Sequence, residues 1–425
     1  MTIATPRGTR DYGPSETIFL KSLIATTEDI FKRFGFYPIE TPSIENMETL
    51  SAKAYGEEST KELYVIEGGE EGLRYDFTVP LARYVSMNKD IRLPFKRYYI
   101  GNAWRKDEPQ RLRYREFMQA DVDIIGSNEP ISDAEVIATA AMAIEKLGLV
   151  QYVIRINSRI LLDALLAFFK IPGEKHQKAI RSIDKLDKIG VSGVIEEMKS
   201  NEIDQQNSEK IINFILEKSS NAEILSKLNT NIPDTKPELD RINKILDLLS
   251  VYNLNGTIQL DLSLARGLDY YTSTVCEFVA YEGEKRLPSL GGGGRYDNLI
   301  GIYSKKETPA VGMSLGIGRI FNLLYQSDKQ KTYADVYVTY INEENMKYAM
   351  TVANRIRASG VYVDFEVTKR NLSKQLEHSS SLGVTYTIII GKQEMEQNMV
   401  KIRNMYSGEE RMATVEEALS IIKGE

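Results

Sequence analysis

The spacing of apolar and polar positions changes several times along this chain, and each change marks a different element. From Pro14 and Ser15 the apolar residues Phe19, Leu23, Ile30, Phe31 and Phe34 fall on one stripe, which predicts an amphipathic helix ended by Gly35. In FYPIETPSIENMETL, Pro38 and Pro42 restrict pairing, so this stretch is expected as an edge strand or an interface segment. Leu73 to Thr78 is expected as a short strand with Asp76 and Thr78 on one face, where a carboxylate and a hydroxyl could hold an ammonium group. Two β-prone arms, Tyr98 to Trp104 and Phe117 to Ile125, flank a polar segment containing Pro109 and predict a hairpin with a long loop. Ser132 and Glu135 have the spacing of a capping box for a helix running to Gly148.

Helical periodicity rich in Lys, Asp and Glu fills Leu161 to Leu254, broken at Asn231 to Pro237, and has the texture of a helical insertion. Sheet character returns at Thr257 to Leu264. Gly267 and Asp269 then favour a turn, and Tyr270 to Ala280 alternates like a strand. This leaves Arg266 at a strand-to-turn junction, which suits either an aimed functional arginine or a buried structural one. Gly291 to Gly294 permit close approach of a ligand to the backbone, or simply form a flexible loop. In AVGMSLGIGRIFNLL an apolar strand leads into a helix with Arg319 in its first turn, where free N–H groups and a guanidinium suit a phosphate. Gln326 to Tyr333 has linker composition, and strands alternating with helices beyond it predict a small α/β domain with a partly parallel sheet. The chain as a whole is therefore expected to be α+β.

Parity sharpens the hairpin. Arg113, Arg115, Phe117, Gln119, Asp121 and Asp123 share one face of the second arm, and Met118, Ala120, Val122 and Ile124 share the other. The first face is too polar for a core. Its loop carries Arg105, Lys106, Arg111, Arg113 and Arg115 against Asp107 and Glu108, a positive object that fits polyphosphate or a nucleic-acid backbone if it is not a solvated surface.

Composition removes several classes of function. The 425 residues call for two or three domains, and 42% hydrophobic with 27% charged residues is a globular balance. The N-terminus is too polar for a signal peptide and no apolar run suits a membrane helix, so a cytoplasmic protein without a membrane partner is expected. Cys276 is the single cysteine and His176 and His378 the two histidines, which excludes an internal disulfide and argues against zinc; haem is not expected either. A net charge of −6 means that nucleic acid would be bound through local basic patches.

Three stretches together resemble the signature motifs of class II aminoacyl-tRNA synthetases: TPSIENMETL, with Pro42 at the proline position; WRKDEPQRLRYREFMQADVDIIG; and AVGMSLGIGRI, ending in Arg319. LARGLDYYTSTVCEF and GGGGRYDNLI resemble segments particular to the histidyl-tRNA synthetases, and the likeness spans the whole chain. The resemblance implies an antiparallel catalytic sheet with flanking helices over residues 1–160 and 255–325, a helical insertion at 161–254, a linker at 326–332, and an α/β anticodon-binding domain at 333–425. It implies a homodimer formed through the first motif, and an ATP-dependent, AMP-forming ligase acting with Mg2+ on L-histidine, ATP and histidine tRNA. Position by position, Arg105 would hold the α-phosphate, Arg113 and Arg319 the outer phosphates, and Asp107 the adenine contact, where the motif often has Glu. Arg266 would be the catalytic arginine, reaching the histidine carboxylate and the α-phosphate. Asp76, Thr78 and Gln119 would hold the ammonium and carboxylate ends of the amino acid, and Asp123 and Tyr271 its imidazole. Paralogues of the catalytic domain that serve as histidine-sensing regulatory subunits of ATP phosphoribosyltransferase are the alternative; they generally lack a C-terminal domain and an intact RGLDYY segment.

Overall fold

The computed structural model describes residues 3–424 apart from 52–59, 110–112, 266–269, 284, 305, 327–330 and 369. Two compact units result, Met1–Arg10 with Leu23–Leu324, and Asp11–Ser22 with Tyr325–Glu425. Helix α1 (Pro14–Arg33) forms where the stripe predicts it, and Gly35, at φ 75°, ends it.

The first unit is built on a nine-stranded sheet. Its strands are β1 (Tyr37–Pro38), β4 (Phe95–Trp104), β5 (Glu116–Ile125), β6 (Tyr152–Ser158), β7 (Thr257–Leu260), β8 (Thr274–Glu282), β9 (Lys285–Arg286), β10 (Gly291–Arg295) and β11 (Ala310–Leu315), while β2 (Ile44–Asn46) and β3 (Glu71–Leu73) pair separately. The order is β1-β4-β5-β11-β10-β8-β6-β7, with β9 on β8. Pairing is antiparallel from β4 to β6, as expected, and parallel at both edges, β1 on β4 and β6 on β7.

Helices with fully described bounds in the first half of this unit are α2 (Met47–Ser51), α3 (Thr78–Met87) and α4 (Pro130–Lys146). Small buried residues Ala138, Ala140 and Ala141 let α4 pack closely on β5 and β11, covering the face that carries Ala120, Val122 and Ile124. Neither Ser132 nor Glu135 caps that helix: Ser132 Oγ bonds Ser127 Oγ at 2.6 Å and Glu135 pairs with Lys96, so tertiary partners outcompete the capping box. Between β6 and β7 run α5 (Arg159–Phe168), α6 (His176–Asp184), α7 (Leu186–Ser200), α8 (Gln205–Leu216), α9 (Asn221–Asn231) and α10 (Lys236–Ser250), the last packed on α4. Short α11 (Leu299–Ser304) and α12 (Ile317–Leu324) flank β11 in sequence.

The second unit has a five-stranded sheet ordered β13-β12-β14-β15-β16. Its elements are β12 (Val336–Tyr340), α13 (Met346–Ala358), β13 (Val363–Phe365), α14 (Leu372–Leu382), β14 (Tyr386–Ile390), α15 (Lys392–Glu396), β15 (Val400–Asn404), β16 (Glu410–Ala413) and α16 (Val415–Lys423). The first three strands in that order are parallel and the last two form an antiparallel hairpin. The periodicity did not announce that hairpin, because polar residues dominate it. Its turn is held by Asn404 Oδ1, which accepts from Tyr406 N at 2.9 Å and Ser407 N at 3.0 Å. Among the described residues no helix is long and apolar enough to cross a membrane.

Candidate active site

One row across the large sheet organises the site. Arg97 on β4, Asp123 on β5, Gly312 on β11 and Gly294 on β10 are register partners in turn, so all four lie on the same face. The glycines are what make room in this row. A methyl group at Gly312 would sit 1.9 Å from Asp123 Oδ1, and one at Gly294 would meet the Tyr271 ring at 2.9 Å. The run Gly291–Gly294 is thus an interior strand and no flexible loop.

Asp123 is buried between two partners. Arg97 Nη2 stands 2.7 Å from its Oδ2, a pairing of charges without the alignment of a hydrogen bond, and the Tyr296 hydroxyl donates a short bond to Oδ1. Burial raises the pKa of Asp123, and Arg97 and Tyr296 pull against that rise. In the next row Tyr99, Asp121 and Ser314 are partners. Asp121 is fully buried and its pKa is pushed up to about 7, first by desolvation and then by the negative charge of Asp123, with Arg97 opposing. Its Oδ1 has no partner within the protein. Gln119, one step further along the same face, donates from Nε2 to Ser314 Oγ at 2.7 Å while its Oε1 is buried and unpartnered. The polar face of the second arm is therefore buried at its far end, at Asp121 and Asp123, and half-buried from Arg113 to Gln119.

Asp76 and Thr78 are not on a strand. Strand β3 ends at Leu73, backbone bonds to other segments continue only through Arg74, and Asp76 Oδ1 accepts from the N–H groups of Thr78 (3.0 Å) and Val79 (3.1 Å), opening α3. Free N–H groups at a helix start favour a carboxylate there more strongly than strand continuation. Both side chains are buried, and Thr78 hydrogen-bonds the hydroxyl of Tyr270, whose pKa burial raises well above the ordinary phenol value. Tyr270 packs edge-on against Tyr271 and Tyr296. Asp76, Thr78, Asp123 and Tyr271 are thereby connected through the tyrosines.

Arg105 lies 4.1 Å from the Tyr75 ring centroid and 5.0 Å from that of Phe117, and its Nε donates to Tyr75 O at 3.3 Å. Asp107 and Arg113 form an ion pair with each other at 2.5 Å. Arg319 sits in the first turn of α12 and donates from Nη1 to Ser289 O at 2.8 Å. Arg266, and with it Gly267 and Asp269, lies outside the described residues, as do Arg111 and Leu112 of the hairpin loop.

The family model for histidyl-tRNA synthetase matches residues 8–320. The chain belongs to the histidyl-tRNA synthetase family. A second model, described as an anticodon binding domain, matches residues 335–425. Histidine–tRNA ligase of Aeropyrum pernix is 36% identical, over 98% of this chain and 97% of its own length, and that of Pyrococcus furiosus is 36% identical over 98% of each. The crystal structure of histidyl-tRNA synthetase from Nostoc sp. PCC 7120 superposes with a TM-score of 0.86 at 28% identity, covering 100% of this chain and 99% of that one.

For this synthetase family member, sequence reasoning passed over Arg97, Asp121, Tyr270 and Tyr296 as site residues. Parity could have found two of them, since Arg97 shares the face of Gly101 and Asp121 lies between Gln119 and Asp123. Tyr296 follows the glycine strand, and nothing local in the sequence says that its ring turns back over Asp123. Arg74 escaped notice too. Fully enclosed, it lies 4.9 Å from the ring centroids of both Phe77 and Tyr99 and donates to the carbonyls of Asn102 and Thr41, so it braces the wall behind the site.

Proposed function

We propose that this chain is a histidine–tRNA ligase that joins L-histidine to ATP, giving histidyl-adenylate and pyrophosphate, and then passes histidine to the 3′ end of its tRNA. The observation that carries this reading is the row Arg97, Asp123, Gly312, Gly294, in a chain of this family. Glycines clear a slot, and a buried carboxylate stands in it with its charge compensated. Neutral imidazole has one N–H donor and one acceptor nitrogen. In this reading Asp123 accepts from the donor, and Tyr271, whose ring lies over Gly294, serves the acceptor. Gln119, Asp76 and Thr78 take the ammonium and carboxylate ends. An amino acid without the imidazole would leave Asp123 buried with a lost bond, which is how such sites reject near relatives.

The reaction requires no side-chain nucleophile. The histidine carboxylate attacks the α-phosphorus and pyrophosphate departs, so the barrier lies in charge repulsion and alignment. Arg105 and Arg266 would neutralise the α-phosphate, and Arg113 and Arg319 the departing phosphates. Binding the outer phosphates would then exchange the Arg113–Asp107 pair for an Arg113–phosphate pair. Among the described residues no three His, Cys, Asp or Glu side chains group as metal ligands. Mg2+ would be brought in by the phosphates, since the ion usually keeps several waters and takes only one or two protein carboxylates.

Residues 333–425 would bind the tRNA anticodon, as supported by the match to the anticodon-binding model. A homodimer through the segment around β1 and β2 is supported by Tyr37 and Ile44, apolar residues that are 66% and 48% exposed. The anticodon-binding match also favours the ligase over a regulatory subunit. Pyrophosphate exchange into ATP, run with each of the twenty amino acids, tests the proposal. Exchange with histidine alone is expected, and its loss in Arg266→Ala; exchange equally supported by another amino acid would overturn the specificity.

A further inference from the structure

Helix α10 lies between β6 and β7 in the run of helices expected as an insertion, yet two of its charged side chains connect to the segment that follows Tyr270 and Tyr271, Glu238 directly and Arg241 through other ion pairs. Glu238 is buried, and its Oε1 accepts from two hydroxyls, Ser158 Oγ at 2.5 Å and Ser273 Oγ at 2.7 Å. One turn along, Arg241 Nη2 donates to Asp133 Oδ2 at 2.5 Å. The same Asp133 oxygen accepts from Arg295 Nη2 at 2.6 Å, and Arg295 Nη1 donates to Asp297 Oδ1 at 3.1 Å. Asp297 closes the chain on Thr272, whose Oγ1 lies 3.2 Å from Asp297 Oδ2 and accepts from Asp297 N at 3.2 Å.

Thr272 and Ser273 are thus each tied to α10, one through a relay of ion pairs and one directly. A carboxylate accepting two hydroxyl bonds away from water holds both tightly, because charge-assisted bonds are the stronger kind and the alternative is an unpaired buried charge. The residues so fixed immediately follow Tyr270 and Tyr271, which touch Thr78 and Gly294 in the site. We propose that Glu238 and Arg241 are positioning residues for histidine recognition: through Ser273 and Thr272 they hold the two tyrosines in register with Asp123, although neither touches the amino acid. The inference rests on the histidine reading of the site given above.

The test is steady-state pyrophosphate exchange on the full chain with Ser273→Ala, Arg241→Gln and Glu238→Ala, alongside thermal unfolding. Histidine exchange by the parent chain is measured first; failure there would remove the functional reading itself. Given parental exchange, each variant is expected to raise KM for histidine about tenfold, with KM for ATP changed by less than about twofold. The Glu238→Ala/Ser273→Ala double variant should be no worse than Glu238→Ala alone, since Glu238→Ala already removes the Ser273 bond along with that of Ser158. Ser273→Ala deletes a single hydroxyl and keeps the test readable if Glu238→Ala does not fold. A fall in melting temperature with both Michaelis constants unchanged would make the network a fold support only, and equal rises in both constants would also overturn the proposal.

Discussion

Both sheets bury polar side chains, but the C-terminal sheet pairs most of its described ones, Arg403 Nε on β15 being an exception, whereas the large sheet leaves carboxylate and amide oxygens without a partner in the protein. In the C-terminal unit, β12 turns Tyr337 and Thr339 towards α14, and both find partners: Tyr337 donates to Glu366 Oε2 at 2.9 Å, and Thr339 forms a short bond with Gln375. Nearby, Ser379 and Thr387 bond each other. On the face of the large sheet that carries Asp123, Asp121 Oδ1, Gln119 Oε1 and Arg97 Nε are also buried and have no partner within the protein. Folding gains nothing from an unpaired buried polar atom, which costs roughly 1–3 kcal/mol. Polar oxygens paired within the protein support the architecture, whereas buried oxygens left incomplete fit the proposed binding of a ligand.

Substitutions on the two faces should therefore behave differently. The largest effect is expected from Asp123→Asn, which preserves size but removes the charge facing Arg97 and an acceptor for imidazole. The value of kcat/KM for histidine should fall about a thousandfold in pyrophosphate exchange, with KM for ATP nearly constant. Equal changes in both Michaelis constants would count against imidazole recognition.

Asp121 offers an intermediate test through pH. Its carboxyl titrates near 7 in the folded chain and in the ordinary range, near 4, when unfolded. Between those values the native state holds a proton that unfolding releases, so stability falls as pH rises through the window. Asp121→Asn removes that fall. Relative to the parent, the variant should gain on the order of 2–4 kcal/mol in going from pH 4 to pH 8, read from denaturant midpoints at each pH. Parallel curves for parent and variant would show that burial does not hold the proton there.

Thr339→Val in the C-terminal unit should have the smallest effect. Leaving Gln375 without its partner should cost about 1–2 kcal/mol of stability, and histidine-dependent exchange should keep the parental rate. A drop in exchange with no loss of stability would erase the distinction between the two faces.

What could be read from sequence followed from how local each signal is. The hairpin arms, α1, the β11–α12 turn and the C-terminal alternation as far as β14 all declare themselves locally, and period alone finds them. The strand expected at Asp76 failed because a helix start a few residues away competes for the same backbone. The capping box at Ser132 failed because Lys96 and Ser127, distant or outside the motif, offered better partners. Parity placed Gln119, Asp121 and Asp123 on one face, but burial of that face depends on α3 and the tyrosines, which meet it only in three dimensions. The glycine run was ambiguous on its own. Its meaning came from the strands on either side.

That glycine strand has a consequence for anyone wishing to redesign substrate choice. With no side chains on Gly294 or Gly312, the ground beneath the slot is peptide backbone, whose height is fixed by bond lengths and inter-strand spacing rather than by rotamers. Such a surface cannot be lowered, and a methyl group added at either glycine would displace Asp123 or Tyr271 rather than raise the floor. A catalyst for a bulkier amino acid would have to be carved from the tyrosine side, at Tyr270, Tyr271 or Tyr296, where side-chain volume remains to be removed.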